Sequence, residues 1–207
     1  MKPLFVVIEG LDGSGGTTQS RLLRDWFVGQ QKDVLLTREP SDGPVGEFIR
    51  DLMVASSANS TIGNAVLPYL FAADRRDHLD REILPALAEQ KIVISDRYYH
   101  SSLAYQGLSV GLPQVAELNS MFNQPDVTFF LYLSPEISFE RVQLRGLPVE
   151  RFETLYHLRT VAEAYETVIG FCRARGETIV KIDANQSIEE IHHDITKYMT
   201  DHFLATS

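Results

Sequence analysis

Five short runs of aliphatic, β-branched and aromatic residues punctuate this chain: LFVVIE (4–9), DVLLT (33–37), IVISD (92–96), VTFFLYL (127–133) and TIVKID (178–183). Each is nearly continuous rather than alternating in polarity, the pattern of a strand buried on both faces, and stretches of helical pattern separate them. A helix between successive strands is the crossover that a parallel sheet requires, and it covers one face of that sheet. The fold class is therefore α/β, three-layer, with a five-stranded parallel sheet and helices on both faces. No repeat, low-complexity tract or linker composition divides the 207 residues, so 1–207 reads as a single domain. Ser134 and Pro135 form an N-cap and first-turn pair ahead of EISFERVQLR, and Ser187 to Glu190 form a capping box opening the last helix. Arg145 to Glu153, with Gly146 and Pro148 between charged helical stretches, reads as a lid at about 143–153.

In such a sheet, ligands bind beyond the carboxyl ends of the strands. Three polar segments follow directly on strands and so share one edge: Glu9 to Thr18, Arg38 to Pro40, and Asp96 to Arg97. The first, IEGLDGSGGTTQ, is a glycine-rich turn between a strand and a helix. Such a turn can be merely tight, but here the double threonine and the following helix N-terminus favour an anion site built from backbone N–H groups. The candidate phosphate-binding residues are Gly10, Gly13, Ser14, Gly15, Gly16, Thr17 and Thr18, with the Thr17 hydroxyl placed to ligate Mg²⁺. The lysine of the usual phosphate-loop pattern is missing, and Gly16 holds its place. Replacement charge could come from Arg141, Arg145 and Arg151, which flank or lie within the lid, although these arginines also fit a solvated basic helix end. Asp96, at a strand end, suits Mg²⁺ or its waters, and Arg97 beside it can grip a phosphate bidentately.

A formal net charge of -9 and a pI near 5.1 make nucleic acid a poor partner, while a small anionic ligand can still enter a local basic pocket. A single cysteine, Cys172, excludes an intrachain disulfide and a cysteine-based zinc cluster and fits a reducing, cytoplasmic setting. No apolar stretch approaches the ~20 residues that a membrane helix needs. The six histidines show no metal-ligand spacing and read as surface or core residues.

The ordered set EGLDGSG with TTQ, TREP with GPVGEFIR, LFAADRRDHL, DRYYHSSLAYQG, PDVTFFLYL and RFE, spanning nearly the whole chain, resembles the thymidylate kinases. That resemblance implies a nucleoside monophosphate kinase fold, ATP and Mg²⁺ as cofactors, transfer of the γ-phosphoryl to dTMP, and a homodimer. Carried over by matched positions, Arg50 and Arg97 would bind the dTMP phosphate, Phe71 would stack on thymine, and Arg75 and Gln106 would hydrogen-bond its polar edge. Tyr105 would lie near the deoxyribose, with Glu39, Asp96 and Ser102 completing the pocket. Without the resemblance, Phe71 in its apolar run would read as core. Arg75 and Arg76 point about 100° apart on a helix, so at most one of them faces the base. Asp12 either orients the acceptor phosphate or a metal-bound water, or stabilises the loop. Besides Gly16, the chain departs from the family pattern at Ser41-Asp42 and at Glu150. Another pyrimidine nucleotide as acceptor, or nucleotide binding with little turnover, are the rival readings.

If the lid supplies the charge that Gly16 lacks, Arg145→Ala or Arg151→Ala lowers turnover far more than dTMP affinity. Steady-state kinetics with unchanged turnover in both variants and in their double mutant would exclude that role.

Overall fold

The computed structural model describes residues 3–55, 62–144 and 154–204. β1 (Leu4–Gly10), α1 (Gly16–Gly29), β2 (Val34–Arg38), α2 (Pro44–Ala55) and α3 (Leu67–His78) come first, and a π-helical run (Leu79–Ile83) then continues α3 into α4 (Leu84–Ala88). β3 (Ile92–Asp96), α5 (Tyr99–Tyr105), α6 (Gly107–Val110), α7 (Leu112–Asn119) and β4 (Val127–Tyr132) follow. The chain then forms α8 (Pro135–Leu144), α9 (Leu155–Ala174), β5 (Ile179–Asp183) and α10 (Ile188–Met199). Strand order is β2-β3-β1-β4-β5 and every pairing is parallel, as the five apolar runs predict.

All seven residues of β1 are buried because the strand is central and covered on both faces. Side-chain alternation sorts them into two cores. Phe5 and Val7 join Val93, Phe130 and residues of α5, α7 and α9, while Leu4, Val6 and Ile8 join Ile94, Phe129, Leu131 and residues of α1 and α10. The predicted capping box is formed: Glu190 N donates to Ser187 Oγ at 3.2 Å, and Ser187 N donates to Glu190 Oε2 at 2.9 Å. Ile137 N donates to Ser134 Oγ at 3.3 Å, capping α8. The lid segment 145–153, with Arg145 and Arg151, lies outside the described residues. Among the described residues no helix is long and apolar enough to cross a membrane.

A histidine meets a cysteine and a carboxylate more than seventy residues further along the chain, which spacing alone does not anticipate. His100, Cys172 and Glu177 place their ligand-type atoms within 4.8 Å of one another. Hydrogen bonds occupy the cluster: His100 Nε2 lies 2.9 Å from Glu177 Oε2, and the Tyr99 hydroxyl donates to the same oxygen at 2.8 Å. Burial and the adjacent carboxylate push the Cys172 thiol up, so it stays protonated.

Phe129 is fully buried in the core shared by the sheet, α1 and α10. Phe129→Ala should cost about 3–5 kcal/mol, read as a lowered urea midpoint with an unchanged m-value.

Candidate active site

The carboxyl end of β1 opens into a loop whose shape two glycines permit. Gly13 has φ +85°, and a Cβ there would lie 2.8 Å from the Ser138 carbonyl, so the loop rests against α8 at a distance only glycine allows. Gly15, with φ +97°, turns the chain into α1. The first turn of α1 contains no acidic residue, leaving its N-terminal amides to an anion. Ser138 in turn donates to the Asp12 carbonyl at 2.5 Å.

Strand register brings the other two segments alongside. Asp96 pairs in register with Ile8 of β1 and Arg38 of β2, so three strand ends meet here. Thr17 Oγ1 donates to Asp96 Oδ2 at 2.6 Å, two oxygen groups of the kind that hold a hard divalent cation. A Cβ at Gly16 would lie 3.0 Å from Asp96 Oδ1, so the carboxylate stands over the place of the missing lysine's first carbon.

Arg97 follows with φ +73°, a left-handed conformation that costs a non-glycine residue on the order of 1–3 kcal/mol. Backbone bonds hold it there: its N–H donates to Ile8 O at 2.9 Å, and Ser95 Oγ donates to its carbonyl at 2.7 Å. Its guanidinium donates to Asp12 Oδ1 at 2.7 Å and to Ser101 Oγ at 3.0 Å, and lies over the Tyr105 ring. The Tyr105 hydroxyl takes the other Asp12 oxygen at 3.0 Å. Burial works against the charge of Arg97, yet Asp12 and its acidic neighbours outweigh it and raise its pKa further. Tyr105 is also pushed up, by burial first and Asp12 second, and keeps its proton. Beneath them Glu9, 1% exposed, accepts from Tyr98 N, Ser101 N, Ser101 Oγ and the Tyr165 hydroxyl.

The loop is a wall between two clefts. One, of about 460 Å³, is lined by residues 8–18 with Arg38, Glu39, Asp96 and Arg97. The other, of about 410 Å³, is bounded by Gly13, Gly15, Thr18, Arg141, Gln186 and Ile188. Arg141 reaches Gly13 O at 3.4 Å and Ala184 O at 3.3 Å, which ties the loop to the end of β5.

Of the remaining predicted residues Glu39 lines the first cleft, whereas Arg50, Phe71, Arg75, Ser102 and Gln106 are not among its lining residues. Arg75 is 1% exposed, and its guanidinium donates to Glu39 Oε2 at 2.6 and 2.9 Å, to Ser102 Oγ at 3.1 Å, and to Asn119. Arg76 points outward to Asp80, so Arg75 is the inward member of the pair. Arg50 donates to the carbonyls of Pro40 and Ser41. Asp74 accepts from Ser41 N at 2.8 Å and Ser41 Oγ at 2.5 Å, and burial raises its pKa against the effect of those bonds. Gln106 and Ser102 are buried, and Phe71 packs half-buried against Ile49, Met53 and Leu67.

A thymidylate kinase family model matches residues 8–195. The chain is 41% identical over 199 residues to the "Probable thymidylate kinase" of Pyrococcus horikoshii, covering 94% of this chain and 95% of that one. It is 37% identical over 213 residues to the thymidylate kinase of Shouchella clausii, with 99% and 98% covered. Against the thymidylate kinase of Acinetobacter baumannii it is 37% identical over 202 residues, covering 95% and 100%. The chain belongs to the thymidylate kinase family.

In this thymidylate kinase chain the structure adds residues that the motifs do not single out. Asn119, His78 and Asp74 fix Arg75, Glu39 and Ser41, while Gln186 and Ile188 line the second cleft. Asp74, Arg75 and His78 were open to recognition: four and three residues apart on one helix, they share a face, and polar residues on a buried face require partners.

Thr17→Val keeps the side chain's shape and removes the hydroxyl from Asp96. It should lower kcat/KM for ATP by about 10- to 100-fold, equivalent to about 1.4–2.7 kcal/mol, with little change in melting temperature.

Proposed function

We propose that this chain is a dTMP kinase, transferring the γ-phosphoryl of ATP to dTMP to give dTDP in deoxythymidine nucleotide biosynthesis. The observation that carries the reading is the position of the amide-lined loop between two clefts. A donor whose phosphates lie on the loop has room for its base on the Arg141, Gln186 and Ile188 side. An acceptor has room on the Arg97 and Glu39 side. The two meet over Gly15 to Thr17, as an in-line transfer requires.

Phosphoryl transfer asks the protein for position and charge rather than for covalent chemistry. The loop amides and the N-terminus of α1 hold the donor phosphates. Arg97, held in one orientation by Asp12 and Ser101, presents a preformed guanidinium to the acceptor phosphate. Tyr105 shares Asp12 with Arg97, which sets its ring on the acceptor side where it can crowd a 2′-hydroxyl. Asp12 therefore acts as the organiser of this wall. Mg²⁺ would be held by Thr17 and Asp96 and, when bound, would neutralise phosphate charge. Gly16 contributes no cation, and we assign that task to the lid arginines Arg145 and Arg151. The cytoplasm, with its nucleotide pool, is the matching compartment. Phe48 and Tyr69, exposed on the neighbouring helices α2 and α3, offer an apolar surface for the homodimer.

A second reading, nucleotide binding with little turnover, is favoured by Gly16 alone. The deciding assay is ADP formation with ATP, Mg²⁺ and a panel of nucleoside monophosphates, comparing the native chain with Gly16→Lys and Gly16→Ala. The alanine control matters because any side chain here displaces Asp96. Native turnover dependent on dTMP and weak with purine acceptors is expected. Turnover confined to Gly16→Lys would give the lead to the binding reading.

A further inference from the structure

His78, the last residue of α3, has no exposed side-chain surface and lies between two carboxylates. Its Nδ1 is 3.3 Å from Glu39 Oε1, and its Nε2 is 3.6 Å from Glu82 Oε2. Thr37 Oγ1 wedges beside them, 2.7 Å from Nε2 and 3.0 Å from Glu82 Oε2. Thr37 carries one proton and an ionised carboxylate only accepts, so the Thr37–Glu82 bond consumes that proton. Thr37 then offers Nε2 a lone pair, and Nε2 must donate to it. Nδ1 faces a second carboxylate and must donate as well. The arrangement that satisfies every contact has hydrogen on both ring nitrogens.

The pair of donors matters because of what Glu39 holds. One Glu39 oxygen takes two N–H groups of Arg75, and the other takes His78. A buried carboxylate bonded on one oxygen can still turn about its last bond; a donor on the second oxygen removes that freedom. The chain of contacts thus runs from Glu82, at the half-exposed rim, through Thr37, His78 and Glu39 to the buried guanidinium of Arg75. The charged groups around the imidazole come from several elements. Glu39 and Glu82 touch it, Asp42 and Asp74 are close enough to interact with it, and Arg75 opposes it from beyond Glu39.

We propose that His78 is a positioning residue of the acceptor pocket: braced by Thr37 and Glu82 and donating from both nitrogens, it fixes Glu39 and, through it, the guanidinium of Arg75. The inference rests on the dTMP kinase reading, in which Arg75 meets the edge of the acceptor base.

Steady-state kinetics with dTMP and ATP varied separately test it on the native chain, His78→Leu, His78→Gln and Thr37→Val. His78→Leu should raise the KM for dTMP about 10-fold or more, in the range seen for lost outer-shell partners, and leave the KM for ATP unchanged. His78→Gln, with one amide donor group, should restore part of the loss, and Thr37→Val should shift the same constant by less. Ring ¹⁵N spectra, assigned by the signals lost in His78→Gln, should show both nitrogens protonated in the native chain. A parallel rise in both KM values, an unchanged dTMP KM in folded His78→Leu, or a ring with one bare nitrogen would overturn the assignment. Should His78→Leu fail to fold, Thr37→Val and the spectrum decide. If the native chain does not turn over dTMP, the kinase reading fails by itself, and the spectrum still tests the His78 contacts.

Discussion

A carboxylate with almost no access to water sits at the end of the central strand, and the site is organised around it. An unpartnered charge in that position would cost several kcal/mol. Glu9 avoids the cost by accepting from two amides and a hydroxyl at the start of α5 and from the Tyr165 hydroxyl on α9. These bonds pin the first turn of α5 to the end of β1. The single residue left to span from β3 into that turn is Arg97, which explains why a non-glycine side chain is held at positive φ. Strain at Arg97 is thus the local expression of a satisfied buried charge at the neighbouring strand end, and it aims a guanidinium into the cleft.

The polar interior continues outward as a set of shared carboxylates. Asp12 joins Arg97 to Tyr105, Glu39 joins Arg75 to His78, and Asp74 secures the turn at Ser41 whose carbonyl Arg50 grips. Asp12 and Glu39 each serve two side chains, so neither partner turns without disturbing the other, while Asp74 takes both the amide and the hydroxyl of Ser41. Buried ion pairs of this kind are poor sources of net stability. Their use here is geometric, in that arginines are held at fixed orientations before any ligand arrives.

Much of this was legible in the chain, and the limits have physical causes. Near-continuous apolar runs marked all five strands to within a residue, because a strand buried on both faces has no other composition available to it. The strand-end rule then grouped Glu9, Asp96 and Arg97 correctly, since register follows from topology. Pairings such as Arg75 with Asn119 on another helix, or His100 with Glu177 in the connection from α9 to β5, depend on which elements meet in the folded chain, and nothing local in the sequence encodes which lies opposite which. The motif positions alone also gave no warning that Glu39, Arg50 and Arg75 would be engaged by the protein's own groups, because a residue's type states what it can bond and not what it already bonds.

In the kinase reading, the loop at Gly13 to Thr18 would make its anion site from main-chain amides, with glycine where a lysine would add an ammonium. Amides do not titrate over the biological range, and they are not acylated or carbamylated as an amine is. In that reading the loop's own donors keep the same charge at every biological pH and carry no amine open to covalent modification, so any pH dependence comes from the phosphate itself and from the ionisable groups around the loop. Whatever control acts on the chemistry here must act through the arginines and acids around the loop.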